Sequence, residues 1–206
     1  MAIWLDSADI DVVREAWLSG RIVGVTTNPS LIASTGRPPL DVIADLARNC
    51  GGTVFHQLTA PTPAARREEA ERALELAPNV GLKIPCTWEN LALVSLFAKR
   101  RTVGVTAIFS AAQAVLAAQA GAACILPYVN RTTRLLGDGP GLVRRMRSVL
   151  EGTSTRIVAA SLKSPEEAVE TLLAGAHDLT LPPAVLQAMA QHDLSDAAVE
   201  AFAKVG

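Results

Sequence analysis

The sequence predicts an α/β fold, a single (β/α)8 barrel, and three observations support this prediction. Eight short apolar runs recur along the 206 residues, helical patterns lie between them, and the runs are near-continuous rather than alternating in polarity. Continuous apolar runs are typical of parallel strands that are covered on both faces. The predicted strands are residues 2–5, 22–27, 53–58, 80–84, 102–108, 123–126, 156–160 and 178–181.

The segments between these runs carry helical periodicity. Ile10, Val13 and Trp17 share one helical face, and Ser164 precedes a proline and two glutamates, as an N-cap does. Eight such units favour a closed barrel over an open doubly wound sheet, because no GxGxxG follows the first strand. No linker interrupts the pattern, so we expect one domain over residues 1–206. The other predicted helices are residues 40–47, 63–76, 88–99, 110–118, 142–150 and 165–174.

The composition excludes several classes of protein. Half of the residues are apolar and the formal net charge is -1, so neither nucleic acid nor an anionic membrane is an expected partner. No apolar run approaches the ~18 residues of a membrane span, and the acidic N-terminus does not resemble a signal peptide. An odd number of cysteines, Cys50, Cys86 and Cys124, fits reduced thiols in the cytoplasm.

Lys83 is the strongest candidate for chemistry. It is one of only four lysines among nineteen basic residues, and it alone lies within an apolar strand. Burying a charged amine is costly, so burial lowers its pKa and favours a neutral amine that can attack a carbonyl. The alternative is a strand-end lysine that extends to solvent. The other three lysines occupy contexts typical of solvated side chains.

Polar residues at other strand ends each allow two interpretations. Asp6 either caps the following helix or faces a pocket. The segment from Thr26 to Asn28 reads as a turn or as a pocket rim, and His56 with Gln57 as a buried core pair or as pocket residues. Thr106 is explained by strand propensity alone or by a role in the pocket.

The end of the sixth strand and the end of the seventh predict an anion site. Tyr128 is the only tyrosine, and Arg131 follows it closely. Ser161 ends the seventh strand, where barrels frequently bind phosphate. His56, His177 and His192 are scattered without metal-ligand spacing, so we expect no metal and no cofactor. The set as a whole suits Schiff-base chemistry on a phosphorylated carbonyl compound.

Five motifs occur in order, each at a predicted strand end, and together they resemble the transaldolase family, in particular its fructose-6-phosphate aldolase-like branch. The resemblance covers nearly the whole chain. It implies a (β/α)8 barrel, a metal-free class I mechanism without a cofactor, and small-molecule sugar phosphate and hydroxyketone substrates. The motifs are VTTNPS at 25–30, LKIP at 82–85, VTAIFS at 105–110, PYVNR at 127–131 and AAS at 159–161.

The resemblance assigns a role to each candidate residue. Lys83 matches the Schiff-base lysine, Asp6 and Asn28 match residues that hold the hydroxyls of the donor, and Thr26 lines the same pocket. The remaining matches are two phosphate-binding positions and three residues that position a proton-relaying water. The phosphate positions are Arg131 and Ser161, and the water positions are Gln57, Thr106 and Tyr128.

Two positions decide the choice within the family. Transaldolases usually carry Glu and Phe where this chain has Gln57 and Tyr128, so we expect an aldolase that cleaves the C3–C4 bond of a ketose phosphate such as fructose 6-phosphate. The products are dihydroxyacetone and glyceraldehyde 3-phosphate. The alternative is a transaldolase, which Phe109 and Ser110 mildly favour; a second alternative is a barrel that binds sugar phosphates without catalysis.

The resemblance also bears on assembly and specificity. We expect a homo-oligomer, as in the family. The chain ends at Gly206, and we expect it to lack the family's usual C-terminal helix, which often crosses to a neighbouring subunit. His56 stands where a small residue is common in the family, and the sequence leaves its effect on donor choice open.

Overall fold

Eight parallel strands pair in chain order and close into a barrel, as predicted, with β8 pairing back to β1. The computed structural model describes residues 1–204; Val205 and Gly206, the last two residues of the predicted domain, lie outside the described residues. Each strand overlaps its predicted run. The strands are β1 (Ile3–Asp6), β2 (Gly24–Thr26), β3 (Thr53–Gln57), β4 (Val80–Pro85), β5 (Val103–Ile108), β6 (Cys124–Pro127), β7 (Arg156–Ala159) and β8 (Asp178–Leu181).

Helices connect the strands and cover the outside of the barrel. Within residues 1–204, no helix combines the length and apolar character needed to cross a bilayer. The helices are α1 (Ile10–Leu18), α2 (Pro29–Ser34), α3 (Pro39–Asn49), α4 (Pro63–Glu75), α5 (Trp88–Phe97), α6 (Ala111–Gln119), α7 (Val129–Leu136), α8 (Gly139–Val149), α9 (Pro165–Leu173), α10 (Pro183–Ala188) and α11 (Asp193–Ala203).

Four of these helices were not predicted from the sequence. Helices α2 and α10 have six residues each, too few to show helical periodicity, and α7 begins directly after β6. The expectation that the chain lacks a C-terminal helix was wrong, because α11 occupies Asp193–Ala203. Helix α11 buries none of its residues against the rest of the chain.

Side-chain caps begin several helices within two to five residues of the end of the preceding strand. The oxygens of Asn28, Thr62, Thr87, Ser110 and Ser164 each accept a hydrogen bond from a backbone N–H in the first turn of the helix that follows. Such caps satisfy donors that the helix cannot pair internally. They set where each helix begins relative to the carboxyl end of the preceding strand.

The interior of the barrel is filled by large side chains that rest on glycines. The rings of Trp4 and Phe55 pack with their centroids 5.3 Å apart. A Cβ at Gly24 would lie 2.5 Å from the Trp4 ring, and one at Gly81 would lie 3.1 Å from the Phe55 ring. These glycines therefore leave room for the rings in the barrel's inner space.

A buried acid–base pair holds the loop that follows β3. His56 Nε2 lies 3.0 Å from Glu69 Oε1 of α4, and the other carboxylate oxygen accepts from the backbone N–H groups of Thr59 and Ala60, both at 2.9 Å. The pair connects the outer face of β3 to α4 and fixes the first residues of the loop.

Arg66 extends this connection to the neighbouring strand. Its Nε donates to the Ala60 carbonyl at 2.7 Å, and its Nη1 donates to Asn90 Oδ1 at 2.8 Å. Asn90 in turn donates to the carbonyl of Pro85, the last residue of β4, at 2.9 Å. The ends of β3 and β4 are thus held together from outside the barrel by side chains of α4 and α5.

The charge of Glu69 makes this network sensitive to acid. Burial acts to raise the pKa of Glu69, but hydrogen bonds from His56, Ala60 and Thr59 outweigh it and lower the pKa to about 2. A carboxyl whose pKa is lowered by folding stabilises the native state above its ordinary pKa of 4.5, and this stabilisation is lost as the pH falls toward 2.

We predict that Glu69→Gln lowers the free energy of unfolding at pH 7 by roughly 1–3 kcal/mol, because it removes charged hydrogen bonds to buried His56 and to the part-buried N–H groups of Thr59 and Ala60. The variant should also lose less stability than the parent between pH 4.5 and pH 2. Denaturant unfolding across this pH range measures both effects. Glu71→Gln is the matched control on the same helix: its partner is exposed Arg100, so its effect should stay below about 1 kcal/mol. Equal effects of the two variants would contradict the prediction.

Candidate functional site

The polar residues singled out in the sequence meet at the carboxyl end of the barrel. Side chains alternate along a strand, so a residue two positions after an interior residue also faces the interior. Gln57 follows Phe55 by two positions, and Lys83 follows Gly81 in the same way. The interior side chains at the carboxyl end of the barrel form one layer, which we call the inner layer. Its members are Asp6, Thr26, Gln57, Lys83, Thr106, Tyr128 and Thr180.

Lys83 is enclosed in this layer, with only 3% of its surface exposed. Its Nζ donates a hydrogen bond to the backbone carbonyl of Thr27, 2.8 Å away. Burial lowers the pKa of Lys83 to about 8, although Asp6 and Cys124 act in the opposite direction. A strand-end lysine that reaches solvent is therefore excluded, and a substantial fraction of this amine is neutral near pH 8.

Asp6 belongs to a chain of hydrogen bonds inside the barrel. Thr26 Oγ1 donates to Asp6 Oδ1 at 2.8 Å and lies 2.6 Å from Thr180 Oγ1. Asp9, and not Asp6, caps the next helix, which decides between the two interpretations left open by the sequence. Sequence analysis missed Thr180; its position at the end of the last predicted strand was the available signal.

Tyr128 is held in place on several sides. Thr106 Oγ1 donates to the Tyr128 hydroxyl oxygen at 3.1 Å, which leaves the phenolic proton for another acceptor. The Phe109 ring packs edge-on against the Tyr128 ring with their centroids 5.8 Å apart, and the Arg131 guanidinium lies 4.7 Å from the Tyr128 ring centroid.

The backbone beside Thr106 is irregular. Ala107 adopts a left-handed φ of 57° at a bulge in β5, directly after Thr106.

Gln57 and His56 point to opposite faces of β3. Gln57 Oε1 is buried and has no hydrogen-bond partner within residues 1–204, so it can accept from a bound hydroxyl or water. His56 points outward to Glu69, so its side chain does not face Lys83. His56 nevertheless lines the same cleft as Asn28 and Gln57. The prediction of a buried core pair with hydrogen-bonded polar atoms holds only for His56 Nε2, since His56 Nδ1 has no hydrogen-bond partner in the described chain.

Asn28 lies at the edge of the inner layer. Its side-chain carbonyl caps α2 by accepting from Leu31 N at 3.1 Å, so the side-chain amide nitrogen is the group left to donate to a ligand. Asn28 lines a cleft of about 140 Å³ with Gln57 and His56, and the cleft extends past Ile32 to Arg37; among the described residues Lys83 does not line it. The segment therefore both begins α2 and lines a cleft beside the inner layer.

Arg131 and Ser161 follow the carboxyl ends of two neighbouring strands, β6 and β7. Tyr128 forms a bridge with Ala160, and Val129 N donates to the Ala160 carbonyl at 2.9 Å. Arg131 is exposed on the first turn of α7, and Ser161 has a left-handed φ of 63°. A left-handed backbone is uncommon outside glycine and is often found at functional sites.

The chemistry open to this arrangement is nucleophilic and acid–base. A poorly solvated amine can add to a carbonyl, and a nearby carboxylate and phenol can accept or donate protons. In the part of the chain that the structure describes, no three His, Cys, Asp or Glu side chains form a group that could hold a metal ion.

Comparison with solved structures places the barrel in a widely used architecture. An oxidized active mutant of (S)-mandelate dehydrogenase superposes with a TM-score of 0.66 at 13% identity, covering 90% of this chain and 68% of the other. A mandelate oxidase Y128F variant gives the same TM-score at 16% identity. At such low identities the likeness concerns the fold alone.

Comparison of sequences is more specific. A probable transaldolase of Caulobacter vibrioides is 39% identical over 207 residues, 99% of this chain and 95% of the relative. A probable transaldolase of Parvibaculum lavamentivorans is 38% identical over 98% of this chain and 94% of the relative. The family model described as transaldolase/fructose-6-phosphate aldolase matches residues 3–205. The chain therefore belongs to the transaldolase/fructose-6-phosphate aldolase family.

Proposed function

We propose that Lys83 forms a Schiff base with a ketose phosphate and carries its dihydroxyacetone unit to a second sugar phosphate, as a transaldolase does. The single observation that supports this most is the buried amine, with a pKa of about 8 and a position beside Asp6 in the barrel. An amine that is partly neutral near physiological pH can attack a carbonyl, whereas a solvated lysine is almost wholly protonated.

The reaction has a defined electron flow. The Lys83 nitrogen adds to the ketose carbonyl, water leaves, and a protonated imine forms. The imine accepts the electron pair of the C3–C4 bond as that bond breaks, and an aldose phosphate leaves while an enamine stays on Lys83. The enamine carbon then attacks the aldehyde of the second sugar phosphate, and hydrolysis frees the new ketose. In this proposal Asp6 and Asn28 hold the hydroxyl groups of the dihydroxyacetone unit.

The cleavage step releases the C4 hydroxyl proton, and in this proposal the Asp6 carboxylate of the inner layer is its final acceptor. Tyr128, whose oxygen accepts from Thr106, and Gln57 Oε1, which has no partner in the described chain, lie along the path of this proton. The three side chains could position a water that relays the proton. Arg131 and Ser161, at adjacent strand ends, would bind the phosphate of the sugar, since guanidinium groups suit phosphate oxygens.

Two observations favour different fates for the dihydroxyacetone unit. The relatives are named probable transaldolase, which favours transfer, and we therefore place transfer before the release reaction expected from the sequence. Release of free dihydroxyacetone, the aldolase reaction, is the second candidate. Gln57 and Tyr128 favour it, because a phenol beside the enamine can protonate the enamine carbon. Hydrolysis then frees dihydroxyacetone without a second sugar phosphate.

We also propose that the protein is a homo-oligomer. Helix α11 buries no residue within the chain, and Leu194, Val199 and Phe202 expose 75%, 65% and 73% of their surfaces. Exposed apolar surface of this kind favours a protein interface. A second copy of the chain would cover it.

The Schiff base can be trapped. We predict that borohydride added with dihydroxyacetone reduces the imine and adds one three-carbon unit to the peptide that contains Lys83. Labelling should become faster as the pH rises through about 8, since only the neutral amine reacts. Peptide mass spectrometry measures both. Lys163→Met, which removes an exposed lysine, should label normally, whereas Lys83→Met should not.

A parent protein without label on the Lys83 peptide would contradict the proposal. Sugar phosphate binding that survives Lys83→Met, together with no turnover by the parent, would instead support a non-catalytic barrel.

Transfer and release are separated by their products. With fructose 6-phosphate and erythrose 4-phosphate, we predict that the transfer product exceeds free dihydroxyacetone. Tyr128→Phe should lower the release by at least about a hundredfold, the lower end of the contribution typical of a proton donor, and should reduce transfer less. Chromatography of products with and without the acceptor measures the ratio. Release equal to or greater than transfer in the parent would make the protein an aldolase.

The oligomer is tested on the same preparation. We predict a solution mass of several times 21.6 kDa by light scattering. Changing Leu194 and Phe202 together to Glu should lower this mass, whereas Leu173→Glu, on the exposed face of α9, should not. A monomeric parent would overturn the proposal.

A further inference from the structure

The Tyr128 side chain makes two different sets of contacts, one through its hydroxyl and one through its ring. The hydroxyl oxygen accepts a hydrogen bond from Thr106 Oγ1 at 3.1 Å. The Arg131 guanidinium lies over the ring, 4.7 Å from its centroid, and the Phe109 ring packs at 90° to it. The proposed reaction uses the hydroxyl alone, so the contacts of the ring have no role in it.

Arg131 makes no other directed contact within residues 1–204. Its side chain is exposed, and in this part of the chain its guanidinium has neither a carboxylate partner nor a hydrogen-bond acceptor. The acidic residue nearest to it in the sequence, Asp138, instead faces Arg144 at 3.9 Å and Arg145 at 3.8 Å. An exposed arginine loses considerable rotamer freedom when it is fixed. The Tyr128 ring therefore offers a surface that limits where the guanidinium lies.

Stacking on the ring leaves Arg131 able to bind an anion. A cation–π contact uses the face of the planar guanidinium, whereas the five N–H donors point outward in its plane and match the oxygens of a phosphate group. Arg131 can therefore pack on Tyr128 and pair with a phosphate group at the same time.

The backbone fixes the first turn of α7, which carries the two side chains. Tyr128 is the N-cap of this helix and Arg131 is its third residue, but the Tyr128 side chain makes no capping hydrogen bond. On one side, Tyr128 bridges to Ala160, and Val129 N donates to the Ala160 carbonyl at 2.9 Å. On the other, a Cβ at Gly139 of α8 would overlap the Val129 carbonyl oxygen. The turn is thus held between the end of β7 and the start of α8.

We propose that the Tyr128 ring is a platform that holds the Arg131 guanidinium where a sugar phosphate places its phosphate group. Tyr128 is in this respect a positioning residue that acts through Arg131, and this role is separate from that of its hydroxyl. The inference rests on the proposed phosphate role of Arg131. It narrows the substrate class, because the platform favours aldehyde acceptors with a phosphate group over uncharged aldehydes.

The binding probe is glycerol 3-phosphate, which carries a phosphate group but has no carbonyl and cannot form an imine. Isothermal titration calorimetry measures its dissociation constant. Tyr128→Phe should bind it within about twofold of the parent, since a phenyl ring also supports a cation–π contact. Tyr128→Leu removes the ring and should bind about 2–5-fold more weakly, the contribution of one exposed cation–π contact.

Two arginine variants locate the phosphate group. Arg131→Met should weaken binding at least about tenfold, because it removes hydrogen bonds between charged groups. Arg134→Met is the matched control, since Arg134 is also an exposed arginine of α7, and it should change binding by less than about twofold because solvent screens exposed charges.

A second measurement separates phosphate recognition from a general effect on the site. Tyr128→Phe and Tyr128→Leu both lack the hydroxyl, so they differ in the ring alone. With dihydroxyacetone as the donor, the KM for glyceraldehyde 3-phosphate should be about 2–5-fold higher in Tyr128→Leu than in Tyr128→Phe. The KM for uncharged glyceraldehyde should be the same in both. Circular dichroism shows that each variant is folded, and Tyr128→Met is a second ringless variant for the same comparisons.

Three results would each overturn the platform: no saturable binding of glycerol 3-phosphate to the parent, equal binding by Tyr128→Phe and Tyr128→Leu, or an equal rise in both KM values. Borohydride labelling distinguishes this outcome from failure of the proposed function. Labelling of Lys83 without phosphate binding overturns the platform alone. A weaker dissociation constant in Tyr128→Leu, with no labelling of Lys83 in the parent, supports the platform and overturns the Schiff base alone.

Discussion

The site depends on one constraint: an amine is kept inside a closed barrel where little water can solvate its charge. The structure pairs Lys83 Nζ with the carbonyl of Thr27 and encloses the rest of the side chain, which lowers the pKa to about 8. Asp6 offsets part of this effect and so keeps the amine from becoming wholly neutral. The balance between burial and a nearby carboxylate sets how much of the Lys83 amine is neutral at physiological pH.

Alternation along the strands separates residues that support the barrel from residues that face its interior. On β3, Gln57 faces the interior, whereas its neighbour His56 faces α4 and pairs with Glu69. The outward network then fixes the loops after β3 and β4, the two strands that carry Gln57 and Lys83. A one-residue shift in this register would exchange the two faces, and the polar layer would lose its members.

The transfer and release reactions use the same enamine and differ only in how it is consumed. Transfer requires the enamine to survive until an aldehyde arrives, whereas release requires a proton donor close to the carbanion carbon. The hydroxyl of Tyr128 is oriented by Thr106 and steadied by Phe109, so a potential donor stands in the inner layer.

The sequence by itself determined the barrel, because eight apolar runs separated by helical patterns leave few other ways to bury both faces of every strand. It also identified Lys83, since a lysine within an apolar strand is conspicuous when lysine is rare. Only the tertiary structure decided which way each neighbouring side chain points and what it meets. The interior place of Asp6, the hydroxyl contact of Thr180 with Thr26, the outward turn of His56 and the unpacked helix α11 all depend on contacts between residues far apart in the chain. Local patterns record burial and periodicity, whereas these contacts arise only when the barrel closes.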